Sequence, residues 1–332
     1  RDKMEDKILV TAQFYNDEFA SDERQQGMEH LSKYGELVLE KEELHAEDAQ
    51  GVVASVASSS LYTDAFYEAA TDLRIIARWG VGFDKVNVEA ATRHGVLITV
   101  TPVHMDTVAE YAITQWLATL KRVYTLNRLS HGGDFSIIRT YEAQGSVLGL
   151  YGCGRIGQEV AQRARPLLGE NGRLLIYDSR PDIGEIAARY GGEVVDSPHA
   201  LFEQCDTVSL HVSGDETIVD YDLLTSMKPH ASLINPSRGN LVDDAAVNRA
   251  LNEDKLYYYV VDDPVNGPRA IHKDHPRIIC TNHNAGISVE STIRLDQKTI
   301  QQVTDVLEHR RPDFVLNEEV LDHPRVKEWL NS

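Results

Sequence analysis

The chain has 332 residues, 42% hydrophobic and 26% charged, roughly twice the length of a typical domain, which implies two lobes, each with its own core. A formal net charge of −19, with Lys and Arg scattered rather than striped, disfavours nucleic acid as a partner because the protein's field repels polyanions. Every apolar run is broken by charge well short of the roughly 20 residues that a membrane helix needs, so no membrane association is expected.

Cys153, Cys205 and Cys280 form neither an even set nor a Cys-x-x-Cys pair. That argues against a disulfide framework and against a zinc site, and no metal is expected. The segment Arg1 to Lys7 is charged and runs straight into Ile8-Leu9-Val10, without the apolar region and cleavage site of a secretory signal. With the cysteine pattern this gives a cytoplasmic location as the expectation.

In chain order, short apolar runs predict strands at Ile8 to Phe14, Leu37 to Leu39, Val52 to Val56, Arg74 to Trp79 and Leu97 to Val100. A second series follows at Ser146 to Tyr151, Leu174 to Tyr177, Thr207 to Val212, Ser232 to Asn235, Leu256 to Val261 and Ile278 to Thr281. Helix-like stretches separate them, and parallel strands covered on both faces read as continuous apolar runs. The fold class is therefore α/β, with open parallel sheets under helices. Two longer helical patterns mark boundaries. Asp106 to Arg128 carries one apolar stripe through Val108, Ala112, Trp116, Leu117 and Leu120 and is expected to link the lobes. Ser288 to Arg310, closed by Pro312, is expected to return the chain to the first.

Between the strands ending at Tyr151 and Tyr177 stands Gly152-Cys153-Gly154-Arg155-Ile156-Gly157, which follows a strand and opens a helix. The first glycine permits a tight turn, the second lets backbone approach a pyrophosphate, and the third allows close packing. The helix N-terminus, from Arg155 and Ile156, presents unpaired N–H groups to the anion. Asp178 lies 178 − 157 = 21 positions after the third glycine, where a carboxylate accepts from ribose hydroxyls and opposes a 2′-phosphate. NAD is the expected cofactor, with Arg180 leaving some tolerance for NADP.

From Leu73 to Ser288 the chain resembles the D-isomer-specific 2-hydroxyacid dehydrogenases, the family of phosphoglycerate dehydrogenase. The segments that carry the resemblance are RWGVGFDKVN at 78–87, TP and VAEYA within 101–112, the glycine fingerprint, CDTVSLHV at 205–212, MKPHASLINPSRGNLVDDAAV at 227–247 and TNHNAG at 281–286. The resemblance implies two Rossmann-like domains with parallel sheets and an active site in the cleft between them. The substrate domain is expected at 1–104 plus 293–332, and the NAD-binding domain at 105–292.

It further implies that Arg238 binds the substrate carboxylate and polarises its 2-oxo group, while His283 exchanges a proton with the 2-hydroxyl. The amides of Val81 and Gly82 are implied to hold the carboxylate as well. Each role suits the residue: a guanidinium is a fixed planar cation, and an imidazole changes protonation near neutrality. Arg78 meets a second anionic group on the substrate or forms a plain salt bridge. His211 is structural or lies at the cofactor, and Asp262 is assigned to the cofactor side. Tyr62, Trp79 and His104 are candidates for the substrate pocket. A homodimer is implied, with Asp106 to Ile138 as the contact.

One departure stands out. The family pairs its histidine with a glutamate, and registering Asp262 on the family's aspartate puts Gly267, followed by Pro268, where that acid belongs. Asp263 from a rearranged loop replaces it, or the imidazole works unassisted, or catalysis is lost. The expectation is an NAD-dependent oxidoreductase interconverting a small 2-oxo acid and its D-2-hydroxy acid. The alternative is a catalytically impaired NAD(H)-binding regulatory or scaffold protein.

Overall fold

A computed structural model describes residues 6–12, 21–58, 60–214, 216–262 and 275–331. The chain divides into two compact units, Arg1–His104 with Ser288–Ser332, and Met105–Ile287.

The first unit is built on β1 (Lys7–Val10), α1 (Asp22–Leu31), β2 (Glu36–Leu39), β3 (Val52–Ala57), α2 (Asp64–Ala69), β4 (Ile75–Arg78), α3 (Val88–Arg93) and β5 (Leu97–Thr99). The five strands of its main sheet run in the order β2-β1-β3-β4-β5, all parallel, which is a doubly wound order. Successive side chains alternate between faces. Ile8, Val10, Ala54 and Val56 pack on one side with Ile300 and Val303, whereas Leu9, Ala57, Ile76 and Ile98 pack on the other with Phe66 and Ala90.

The second unit follows with α4 (Met105–Leu120), α5 (Val123–His131), β6 (Val147–Tyr151), α6 (Arg155–Leu168), β7 (Arg173–Tyr177), α7 (Ile183–Arg189), β8 (Glu193–Val194), α8 (Pro198–Gln204) and β9 (Thr207–Leu210). It is completed by α9 (Tyr221–Ser226), β10 (Ser232–Asn235), α10 (Asp244–Asn252), β11 (Tyr258–Val261) and β12 (Ile278–Cys280). The sheet order is β8-β7-β6-β9-β10-β11-β12, again parallel throughout. The order reverses between β6 and β9, the switch point outside which such sheets bind ligands at their carboxyl ends. Leu148, Leu150, Leu174 and Ile176 bury against α4, α6 and α7, while Val208, Leu210, Leu233 and Tyr259 bury against α8, α9 and α10. Each such side chain contributes about 1.5–3 kcal/mol relative to exposure.

Two sequence expectations are modified. The single helix expected over Asp106 to Arg128 is two helices, because Arg122 adopts φ 52° between α4 and α5. Its guanidinium lies 3.7 Å from the centroid of the Tyr257 ring, which anchors the break. The first strand, expected to reach Phe14, ends at Val10, and Phe14 itself is outside the described residues. The helix expected from Ser288 is α11 (Val289–Leu307), capped by the Ser288 hydroxyl on the Ser291 amide. A last short helix, α12 (Pro324–Leu330), closes the first unit. No helix among the described residues is long and apolar enough to cross a membrane.

Candidate active site

The turn after β6 is shaped by what its glycines lack. Gly152 has φ +92°, and a Cβ there would stand 2.5 Å from the carbonyl oxygen of His211. A Cβ on Gly157 would stand 2.5 Å from the carbonyl oxygen of Gly152, so α6 can approach the turn only through a glycine. Around Gly154 a Cβ would meet nothing within 4 Å. That open space faces the start of α6, whose N-terminus no side chain caps, and the first-turn amides there make an anion site. Arg155 is exposed and Ile156 half-buried at this end.

Asp178, just past β7, ties this turn down. Its Oδ2 accepts the Cys153 amide at 2.7 Å and its Oδ1 the Arg180 amide at 2.9 Å. Arg180 in turn donates from Nη2 to the Cys153 carbonyl at 2.9 Å, with Nε 3.7 Å from both Asp178 and Asp182. Two acids, Asp178 and Asp182, thus face the Arg180 cation beside the glycine turn. Burial, with the Asp178 charge beside it, pushes the Cys153 thiol up to about 11, so this cysteine is inert at neutral pH.

His211 follows β9, its amide bonded to the Tyr151 carbonyl at 2.7 Å. The residue as a whole is half-buried, yet both ring nitrogens are shut from solvent and have no hydrogen-bond partner among the described residues. Burial lowers its pKa to about 3, leaving a neutral ring. Unpartnered buried nitrogens are costly unless a ligand answers them. Together with the open cradle at Gly154 they fit a bound dinucleotide.

The next strand end carries Arg238. Buried Asn235 closes its turn, donating from Nδ2 to the Arg238 carbonyl at 2.8 Å and accepting the Ser237 amide at 3.1 Å. The Arg238 side chain is half-buried, with Nη1 on the Ser237 carbonyl at 3.0 Å.

Asp262, at the end of β11, is 2% exposed. Its carboxylate accepts the Thr281 hydroxyl, the Asn284 amide at 2.9 Å and the Ala285 amide at 2.6 Å. His283 stands between these donors with φ 56°, exposed, its Nδ1 3.3 Å from the Asp262 carbonyl oxygen. Asp262 therefore builds the histidine turn. Gly267, Pro268 and Asp263, on which the expectation of a missing acid turns, lie outside the described residues.

In the first unit, Arg78 is 8% exposed and donates from Nε to the Gly82 carbonyl at 2.7 Å, closing the 78–82 loop on itself. Thr101 holds the same loop, its hydroxyl on the Arg78 carbonyl and its amide on the Gly80 carbonyl, each at 2.7 Å. The amides of Val81 and Gly82 donate to nothing among the described residues. Trp79 donates from Nε1 to Asp296 at 2.8 Å, and Asp296 is paired with Arg24 at 2.8 Å, both ion-pair partners being buried.

Tyr62, a candidate for the substrate pocket, is 2% exposed, and its hydroxyl bonds Ser55 and buried Glu40 inside the unit. Sequence reasoning assigned no role to Glu40, Thr281, Tyr111 or the Arg24–Asp296 pair. Of these, only Thr281 and Tyr111 had a signal, since both stand inside quoted motifs. Among the described residues no group of three or more His, Cys, Asp or Glu is placed to hold a metal ion.

A family model described as D-isomer specific 2-hydroxyacid dehydrogenase, NAD binding domain, matches residues 113–285. The chain is 33% identical over 283 residues to the glyoxylate reductase of Korarchaeum cryptofilum (strain OPF8), covering 79% of this chain and 82% of that protein. It is 30% identical over 327 residues to the D-3-phosphoglycerate dehydrogenase of Methanocaldococcus jannaschii, covering 94% of this chain and 59% of that protein.

Among solved structures, a glyoxylate reductase from Paecilomyes thermophila matches with a TM-score of 0.79 at 22% identity, covering 95% of this chain and 100% of that one. D-lactate dehydrogenase with NAD+ from Lactobacillus jensenii matches with a TM-score of 0.73 at 23% identity, covering 93% and 99%. These structural likenesses show the two-domain fold. The chain belongs to the D-isomer-specific 2-hydroxyacid dehydrogenase family and is an NAD-dependent 2-hydroxyacid dehydrogenase.

Proposed function

We propose that the enzyme reduces a small 2-oxo acid, of the size of glyoxylate or hydroxypyruvate, to its D-2-hydroxy acid, with Arg238 and His283 as the acting side chains. The observation that carries this reading is the His283 turn: an exposed imidazole at the end of the sheet, aimed by a main-chain carbonyl at Nδ1, which leaves Nε2 to face a substrate. When bound, NADH supplies the hydride.

Arg238 holds the substrate carboxylate with its fork and draws electron density from the neighbouring 2-oxo oxygen. His283 donates the proton to that oxygen from Nε2 and keeps its Nδ1 proton on the Asp262 carbonyl. The open amides of Val81 and Gly82 add donors for the carboxylate. Arg180, held between Asp178 and Asp182, supports NADH over NADPH. A second anionic group on the substrate has less support, because the Arg78 Nε is committed to the Gly82 carbonyl. The test is NADH consumption with a panel of 2-oxo acids, with and without a second carboxylate or phosphate.

A homodimer through 106–138 is part of the proposal. Phe135 is 80% exposed and Ile137 98% exposed just beyond α5, an apolar pair that a partner surface would cover. A reducing, cytoplasmic setting is supported by three free cysteines, two of them buried.

A further inference from the structure

A histidine in the left-handed region needs something to hold it there, because a side chain with a Cβ is strained at such angles. His283 has φ 56°. The holding group is the Asp262 carboxylate, whose donors bracket the histidine in sequence: Thr281 on one side, Asn284 and Ala285 on the other. The same residue aims the ring through its own carbonyl oxygen, 3.3 Å from Nδ1.

The donor direction along this chain follows from chemistry. The Thr281 hydroxyl donates its single hydrogen to Oδ1 of Asp262. The oxygen of Thr281 is then left as an acceptor, and the Tyr111 hydroxyl stands 2.6 Å from it. Burial pushes the Tyr111 phenol well above its ordinary range, so it remains a donor at any working pH. Tyr111 lies on α4, 170 positions away in sequence from Thr281.

We propose that Tyr111 and Thr281 are positioning residues for the proton donor: the hydroxyl chain from Tyr111 through Thr281 to Asp262 holds the turn that carries His283 and fixes the proton on its Nδ1. Neither residue touches the reacting atoms. The inference rests on the reading of His283 as the proton donor. It extends that reading by naming what holds the turn and the hydrogen bond at Nδ1.

The test reads the ring directly and the reaction separately. Nitrogen NMR of His283 in the cofactor-free protein reports which ring nitrogen carries the proton. The wild type is expected to show the Nδ1–H form. Thr281→Val is expected to mix the two forms and lower kcat about tenfold, as loss of one hydrogen bond to a charged acceptor implies, with NADH affinity, read by fluorescence, unchanged.

Thr281→Ser keeps the hydroxyl and is expected to restore both properties, and Tyr111→Phe to give a smaller change in the same direction. A Thr281→Val protein with the wild-type ring form and kcat would overturn the proposal, as would a Thr281→Ser protein as impaired as Thr281→Val. Because the NMR arm needs no turnover, a chain that fails to reduce any 2-oxo acid would sink the functional reading while leaving the positioning claim to be decided by the ring.

Discussion

The carbonyl oxygen of Asp262 lies 3.3 Å from Nδ1 of His283, so the ring is aimed by main chain of the residue whose carboxylate also builds its turn. This ties the orientation of the proposed proton donor to the main chain at the end of β11. It follows that replacing His283 by Ala should lower kcat by about a hundredfold or more, the usual worth of a positioned acid or base. NADH binding, measured by fluorescence, should be unaffected. Retention of wild-type kcat would remove the histidine from the mechanism.

Asp178 holds the glycine turn and is proposed to accept from the ribose, and substitution separates the two. Asp178→Asn keeps an oxygen for the Cys153 amide but removes the charge, so kcat/KM with NADH should fall about tenfold and NADPH should gain, following loss of one charge-assisted bond to ribose. Asp178→Ala should also lower the melting temperature, because the Cys153 amide loses its acceptor. Equal use of NADH and NADPH by the wild type would contradict the assignment.

His211 gives a pH dependence of stability with a definite sign. Its pKa is lowered to about 3 in the folded chain from an ordinary 6.5. Between those values the unfolded chain binds a proton that the folded chain does not, so this contribution is fully present above about pH 6.5 and is lost as pH falls toward 3. The slope is on the order of 1 kcal/mol per pH unit. Urea denaturation of the cofactor-free protein near pH 7 and near pH 4.5 should show a smaller acid loss in His211→Asn than in the wild type. Equal losses would mean the imidazole reaches a partner or solvent when folded.

The buried Arg24–Asp296 pair supports the loop that carries Val81 and Gly82, since Asp296 also accepts the Trp79 indole. Removing one partner strands a buried charge, so Asp296→Ala should cost about 3–5 kcal/mol of stability. Asp296→Asn, which keeps an oxygen for Trp79, should cost less and raise KM for the 2-oxo acid less. A loss below about 1 kcal/mol for Asp296→Ala, of the size of an exposed pair, would show that the site is not sealed.

Much of this architecture was readable in the sequence because the signals are local. Buried parallel strands must be apolar on both faces, so runs such as Leu148 to Leu150 and Leu174 to Ile176 stand out. Gly152 and Gly157 of the fingerprint each answer a specific steric demand. The edge strand Glu193–Val194 escaped because both its residues are exposed and carry no burial pattern. The break at Arg122 escaped because neither Lys121 nor Arg122 disfavours helix, and the break is fixed by contact with Tyr257, far along the chain.

The candidate site divides the same way. Arg238, His283 and Asp178 were singled out as candidates from motifs. The support behind them was not, because Tyr111 to Thr281, Arg24 to Asp296 and Glu40 to Tyr62 are pairings made by folding between segments whose own composition says nothing of the partner.

The most direct measurement is the near-ultraviolet loss of NADH with glyoxylate, hydroxypyruvate and larger 2-oxo acids, run in parallel on the wild type, His283→Ala and Arg238→Lys. The account predicts turnover of a small 2-oxo acid by the wild type, a collapse of kcat in the first variant and a large rise in KM in the second. NADH binding without turnover of any 2-oxo acid, or turnover indifferent to both substitutions, would contradict it.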